Sequence, residues 1–483
     1  MRKKAPRLVI AAPSSGSGKT LVTCGLLSAL KKAGRRAAAF KCGPDYIDPM
    51  FHETVLGTPS KNLDTFFAGE ELTRQLFLED AALADLSVVE GVMGLYDGLG
   101  GVTTQASTWD VARTLEAPVI LVVDGAKSSV SVLALIRGFR DFMEEKRIRG
   151  VIFNRVSPMR YPSLKSMTED RLGLSVCGYL PKLEGIVMES RHLGLVMPQE
   201  IEGLKEQMDR LGQTCLETLD LELLEKIGAE APPLEETREL LFPNLHLGEG
   251  ASAKGPAIAV ARDPAFSFYY KDNLRLLEKL GARLLPFSPM KDKRVPGEAD
   301  ALLLGGGYPE LYGGELAENG SMRDSIQSSL QAGMPCLAEC GGFLYLLEEL
   351  EDREGRAHRM AGFLPGKSHY TGKLSRFGYV TLTLTEDGKA ATSAESGRFP
   401  ATAEHGGLLG PGESIQGHEF HYMDTEGTGE ALLARKPVTG RSWTCGHIGE
   451  GFYAGFPHLY LYSSPKVAAR FVRKAEEYGN KRQ

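Results

Sequence analysis

Two short segments of this sequence carry residue types that chemistry needs. The first is Pro13-Ser14-Ser15-Gly16-Ser17-Gly18-Lys19-Thr20. Its second half has the G-K-[ST] spacing. Gly16 and Gly18 let backbone N–H groups converge on phosphate oxygens, Lys19 reaches the β- and γ-phosphates, and Thr20 offers its hydroxyl to Mg²⁺. Pro13 stands where that pattern ordinarily begins with glycine. The second segment is Ala338-Glu339-Cys340-Gly341-Gly342. A cysteine between an apolar strand and a helix, flanked by small residues, has the makings of a nucleophile elbow, and the helix N-terminus behind it favours the thiolate. The Gly341 N–H is a natural oxyanion donor, and Gly305-Gly306-Gly307, centred on Gly306, offers a second. His458, late in the chain, is the candidate base for Cys340. Cys336, inside the preceding apolar run, reads as packing.

Two acidic segments can complete the phosphate site. Asp45 and Asp48 lie in Lys41-Cys42-Gly43-Pro44-Asp45-Tyr46-Ile47-Asp48-Pro49, and Glu90 and Asp97 in Glu90-Gly91-Val92-Met93-Gly94-Leu95-Tyr96-Asp97-Gly98. Each segment trails a strand candidate. Ligands of open α/β sheets gather at such strand ends, and carboxylates there are hard oxygen donors suited to Mg²⁺. Asp45 and Glu90 are therefore expected as metal ligands with Thr20, while Asp48 and Asp97 are candidates for a substrate or phosphate site. Asn154, at the end of Val151-Ile152-Phe153, carries an amide able to read an adenine edge.

The elements that must hold these residues are legible in outline. Val9-Ile10-Ala11 precedes the glycine-rich loop, and a helix is expected from about Lys19 to Ala33. Ala37–Phe40, Leu86–Glu90, Val119–Asp124, Val151–Asn154 and Val176–Leu180 are further strands. Apolar strands alternating with helices indicate a parallel sheet covered on both faces. A second α/β series begins at Ala257–Ala261 and continues through Ala301–Leu304 and Pro335–Glu339. The expected division is 1–215 for the phosphate-loop domain, 216–255 for a helix and linker around Pro232-Pro233, and 256–483 for the cysteine domain.

With 483 residues, the chain exceeds one ordinary hydrophobic core. A formal net charge of -6 gives no footprint for nucleic acid. No apolar run is long enough to span a bilayer. The basic start Met1-Arg2-Lys3-Lys4 and the short apolar run after it lead straight into the phosphate loop, so they read as a strand rather than a leader. Seven scattered cysteines without a C-x-x-C pair suggest neither a disulfide framework nor a zinc site, and the cytoplasm fits.

Taken together, these segments resemble the cobyrinic acid a,c-diamide synthase family. Also similar are Asn154-Arg155-Val156, Ala265-Phe266-Ser267-Phe268-Tyr269-Tyr270, Gly305-Gly306-Gly307-Tyr308-Pro309-Glu310 and Gly417-His418-Glu419-Phe420-His421. The resemblance spans nearly the whole chain. It implies an α/β protein of two domains: an N-terminal P-loop domain like dethiobiotin synthetase and a C-terminal class I glutamine amidotransferase domain. The implied reaction is amidation of the a and c acetate side chains of cobyrinic acid, with ATP, Mg²⁺ and glutamine, Cys340 as nucleophile and His458 as base. The implied partners are small molecules, a tetrapyrrole polycarboxylate and glutamine, with neither nucleic acid nor membrane; a homodimer is compatible with this reading. Hydrogenobyrinic acid and nickel-sirohydrochlorin are alternative substrates within the family. A cobyric acid synthase is a further alternative, against which the Cys42–Pro49 segment argues. A P-loop switch ATPase bearing an inactive glutaminase-like module is the alternative of another class. In the amidotransferase class, a glutamate usually follows two residues after the catalytic histidine; here that position is Tyr460. Glu419 and Asp263 are candidates for the third member, or the site works as a dyad.

Overall fold

The computed structural model describes residues 2–54, 56–186, 190–191, 194–195, 201, 203–236, 255–385 and 407–482. It divides into two compact units, Met1–Leu240 and Leu241–Gln483.

The first unit is built on seven strands: β1 (Arg7–Ala11), β2 (Ala37–Cys42), β3 (Ser60–Leu63), β4 (Leu86–Glu90), β5 (Val119–Asp124), β6 (Ile148–Asn154) and β7 (Ser175–Leu180). Their spatial order is β3-β2-β4-β1-β5-β6-β7, and every neighbouring pair is parallel. The strands are nearly continuous apolar runs because a parallel sheet is covered on both faces; Leu8, Val9 and Ile10 are fully buried. Strand order changes direction at β1, so the loop leaving β1 sits at the switch point where such sheets bind ligands. That loop feeds α1 (Lys19–Lys32).

One edge strand was not expected. β3 reads Ser-Lys-Asn-Leu, with no apolar run to betray it. Its polar side chains are buried on partners instead: Lys61 pairs with Asp80 at 3.0 Å, and Asn62 Nδ2 donates to the carbonyls of Gly43 and Asp45 at 2.8 and 2.6 Å. The helix expected beyond residue 216 runs over Leu221–Ala229, with Asp220 accepting from Leu223 N–H at 2.9 Å, and it belongs to the first unit. Residues 237–254 of the expected linker lie outside the described residues.

In the second unit β8 (Ala257–Ala261), β9 (Arg283–Phe287), β10 (Ala301–Leu304) and β11 (Cys336–Glu339) form a parallel sheet. A second sheet contains β12 (Arg376–Leu384), β13 (Ser414–His421), β14 (Leu432–Arg435) and β15 (Ser442–Cys445). The chain then returns through β16 (His447–Gly449) and β17 (Phe452–Gly455), completing the first sheet in the order β9-β8-β10-β11-β17-β16. β18 (His458–Leu459) ends the second sheet, ordered β15-β14-β12-β13-β18 and antiparallel throughout. Phe266, Phe343, Tyr345 and Leu346 are part of the packed core beside β11. Among the described residues, no helix is long and apolar enough to cross a membrane.

Candidate active site

The phosphate loop owes its shape to its glycines. Gly16 and Gly18 have φ of +77° and +97°, which glycine adopts without a Cβ penalty. At Gly18 space is also limiting: a Cβ would lie 2.0 Å from Asn154 Nδ2. Asn154, at the end of β6, donates to Ser17 O at 2.9 Å and accepts from Arg155 N–H at 3.0 Å. The amide expected to read adenine thus braces the loop, with both of its polar atoms engaged by backbone. Lys19 donates to Ser14 O at 3.3 Å and to Met93 O. Burial, with Lys41 nearby, lowers its pKa to about 8.

Behind the loop lies a buried ionic network. Glu90 ends β4 and is fully buried. Its Oε1 accepts from Thr20 Oγ1 at 2.5 Å and from Lys41 Nζ at 3.0 Å, and its Oε2 lies 3.1 Å from His52 Nε2. Lys41 also pairs with Asp48 and donates to Gly91 O at 3.2 Å. Burial alone would raise the Glu90 pKa. Lys41, His52 and Thr20 outweigh it and hold the carboxyl well below its usual range. Burial likewise works against charge on Lys41, but Asp48 and Glu90 hold its pKa well above the usual value. Asp48 is pushed up by burial, Asp45 and Glu90, against the pull of Lys41.

The four acids therefore stand in different places. Glu90 and Asp48 share Lys41. Asp45 uses Oδ1 to accept from Ile47 N–H at 2.8 Å, at the start of α2 (Ile47–Thr54), while its charge still reaches Lys41 and Asp48. Asp97 Oδ2 accepts from Gly94 N–H at 2.8 Å and closes the turn after β4. For Mg²⁺, Thr20 Oγ1 and Glu90 Oε1 form a pair of hard oxygens beside the loop. Such a pair suits a cation that draws its other ligands from phosphate and water. Among the described residues, no group of three or more His, Cys, Asp or Glu could hold a metal ion. Lys41 and His52 were missed as members of this network. The available signal was a lysine inside an otherwise apolar strand, which stays buried only when paired.

The cysteine site is assembled from both sheets of the second unit. Cys340 follows β11 and opens a short helix over Gly341–Leu346; its φ of +48° makes it a non-glycine residue in the left-handed range, the strained turn expected of an elbow. Cys340 N–H donates to Gly455 O at 2.8 Å and Gly342 N–H to Gly305 O at 3.0 Å, tying the elbow to β17 and to the end of β10. A Cβ on Gly342 would lie 2.1 Å from Leu304 O, and one on Gly341 3.1 Å from Gly307 N, so the two glycine segments meet closely at the elbow. Gly306 adjoins His458, the expected base: a Cβ there would lie 2.3 Å from His458 Cε1. His458 is buried and interacts with Cys340 and Glu339. Burial would lower its pKa, but Cys340 and Glu339 outweigh burial and raise it to about 10. Cys336 is fully buried within β11, and burial pushes its thiol well above the usual value.

The two candidates for a third member differ in surroundings. Asp263 accepts from Ser288 Oγ, Met290 N–H and Ala265 N–H at 2.9, 3.0 and 3.0 Å and so organises the loop after β8. Glu419 lies on β13, buried, with its pKa raised by burial to about 7. Tyr460 donates to Asp272 at 3.4 Å. Glu339, next to the nucleophile, was not considered a candidate; its Oε2 lies 3.7 Å from His458 Nδ1.

Residues 8–195 match the family model of the CobQ/CobB/MinD/ParA nucleotide binding domain, and residues 257–459 that of the CobB/CobQ-like glutamine amidotransferase domain. The cobyrinate a,c-diamide synthase of Caldanaerobacter subterraneus subsp. tengcongensis is 37% identical to this chain, over 98% of it and 99% of the relative. The chain belongs to the cobyrinate a,c-diamide synthase family. The Listeria innocua member is 39% identical over 95% of this chain and 97% of its own, and the Salmonella typhimurium member 37% over 97% of each. Among solved structures, chloroplast FtsY from Physcomitrella patens is 17% identical, with a TM-score of 0.29 over 43% of this chain and 66% of that one. Membership in the family makes the chain an α/β, two-domain ligase with a nucleotide-binding domain and a glutamine amidotransferase domain.

Proposed function

We propose that the protein amidates the a and c acetate carboxylates of cobyrinic acid, using ATP and glutamine, through an acyl phosphate. The observation that carries this reading is the presence, in one chain of the family, of the Cys340–His458 pair on its elbow and of a glycine-shaped loop bordered by Lys19, Thr20 and Glu90. A carboxylate is a poor electrophile, so a phosphate site and an ammonia source in one chain suit each other.

In the first unit, a carboxylate oxygen of the substrate attacks the γ-phosphorus of ATP and the bond to ADP breaks. Lys19 and the loop N–H groups neutralise charge on the phosphate oxygens. Thr20 and Glu90 would hold Mg²⁺, which when bound shields phosphate charge. In the second unit, Cys340 Sγ attacks the amide carbon of glutamine, with Gly341 and Gly306 as candidate oxyanion donors. The C–N bond breaks as His458 gives its proton to the departing nitrogen, leaving a thioester and ammonia. Water cleaves the thioester, returning a proton to His458 and releasing glutamate. Ammonia attacks the acyl phosphate and displaces phosphate as the amide forms. We place the reaction in the cytoplasm, where thiols stay reduced.

The test is a comparison of nitrogen donors. Cys340→Ala is expected to lose glutamine-dependent amidation and to retain amidation with high ammonium at alkaline pH; Cys336→Ala is expected to keep both. Full glutamine activity in Cys340→Ala would refute the glutaminase assignment. Assays with cobyrinic acid, hydrogenobyrinic acid and nickel-sirohydrochlorin decide the substrate, and turnover of either alternative without cobyrinic acid would refute the assignment made here.

A further inference from the structure

Glu339 is held from two directions. Its backbone pairs with Gly455 across β11 and β17, and its Oε1 accepts from Leu459 N–H at 3.1 Å. With one oxygen fixed on the residue beside His458, the other stands 3.7 Å from His458 Nδ1. That is longer than a hydrogen bond but within ion-pair reach. Nδ1 thus faces a carboxylate while the same ring interacts electrostatically with the Cys340 thiol. This is the relation of nucleophile, base and orienting acid that recurs on unrelated folds.

We propose that Glu339 is the positioning residue of the glutaminase, orienting His458 and stabilising its imidazolium, in the role that the wider class gives to a glutamate at the place of Tyr460. The proposal rests on the Cys340–His458 reading above. Glu339 acts through His458 and does not itself touch glutamine. The other acids suit the role less well. Asp263 is engaged by Ser288, Met290 and Ala265, and Glu419 keeps Oε2 without a hydrogen-bond partner among the described residues. Burial also leaves Glu419 near half-protonated at neutral pH.

The titratable groups facing His458 are Cys340 and Glu339 from the elbow and His418, Glu419 and His421 from β13. Burial holds His418 and His421 at about 3 and about 4, so both stay neutral in the assay range, and Glu419, at about 7, is largely ionised by about pH 8. The alkaline limb of glutamine hydrolysis therefore reports on His458.

Glutamine hydrolysis and both amidation assays would be run from pH 6 to about 10 on the full-length wild type, Glu339→Gln, Glu339→Asp, Glu419→Gln and Cys340→Ala. Glu339→Gln is expected to lower the glutamine-dependent kcat on the order of a hundred-fold, with KM for glutamine within about two-fold. Its alkaline limb should move to lower pH, because a neutral amide no longer holds the imidazolium. Glu339→Asp, which keeps the charge, should lower kcat while leaving the limb near its wild-type position. A wild-type kcat and an unmoved limb in Glu339→Gln would overturn the proposal, as would a larger loss in Glu419→Gln. If Glu339→Gln does not fold, Glu339→Asp decides: a wild-type kcat or a displaced limb overturns it. Retained glutamine activity in Cys340→Ala is a separate outcome, which removes the glutaminase reading itself.

Discussion

Lys41→Met should destabilise the first unit by about 3–5 kcal/mol, the usual consequence of stranding a buried charge by removing its partner. The side chains of Lys41, Asp48 and Glu90 are 5%, 6% and 0% exposed, so water cannot take the place of the ammonium. At the 3.0 Å separation of Lys41 Nζ and Glu90 Oε1, the Coulomb attraction is about 5 kcal/mol for an effective dielectric constant of about 20. Methionine fills similar volume without charge, so packing is nearly conserved and the loss is electrostatic. The sign of the pH dependence follows from Glu90. Its pKa lies below the ordinary 4.5, so its contribution is present above 4.5 and is lost as pH falls below it. The variant lacks that contribution, and its deficit should be full at pH 7 and narrow in acid. The chain has two tryptophans, Trp109 in the first unit and Trp443 in the second. In a Trp443→Phe background, urea unfolding followed by fluorescence therefore reads the first unit alone. A deficit under about 1 kcal/mol, or one equal at pH 4 and pH 7, would refute the reasoning, since paired burial predicts neither.

Lys19→Ala should abolish amidation with glutamine and with ammonia alike, because carboxylate activation precedes both; normal turnover with ammonia would remove the phosphate-loop assignment. Glu419 has its pKa raised from 4.5 to about 7, so folding favours its protonated form, and wild-type stability should fall as pH rises through that window. Glu419→Gln should flatten this slope, gaining up to about 3 kcal/mol at pH 8 relative to pH 4, read by urea unfolding at both values through Trp443 emission in a Trp109→Phe background. Gly306→Ala should cut glutamine-dependent kcat more than about ten-fold by displacing His458, and an unchanged rate would mean that the added methyl is accommodated elsewhere. With oxygen-18 in the substrate carboxylate, label should appear in released phosphate; label confined to the amide product would exclude the acyl phosphate.

What the sequence disclosed follows physical lines. The parallel sheet of the first unit was visible because its strands are buried on both faces and therefore read as unbroken apolar runs. β3 was invisible for the complementary reason: Lys61 and Asn62 are buried by pairing and hydrogen bonding, which hydrophobicity does not register. The elbow could be read locally, since Cys340 and its glycines adjoin in the chain. The second sheet could not, because β12 pairs with β13 and β14, and β13 with β18, across long intervening segments. His458 was named from residue type and position alone, and its link to Glu339 needed the fold. Asp45 and Asp48 illustrate the limit of motif reading. They lie in one short segment, yet backbone geometry gives one to the start of α2 and the other to Lys41.

The proposed nucleophile and its proposed base are widely separated in synthesis order. β11 and Cys340 emerge from the ribosome well before β17 and His458, and β17 is the strand that pairs directly with β11. Until β17 arrives, β11 has β10 on one side and lacks its partner on the other, and the thiol has no imidazole. Glutamine hydrolysis without an acceptor is wasteful, and on the proposed reading the capacity for it arises only as the central sheet is completed. The cost falls on folding: a sheet finished by a distant segment closes slowly, leaving an open edge on a nascent intermediate. A chain cut between β13 and β17 would be left with an unpaired strand edge and a cysteine unable to act.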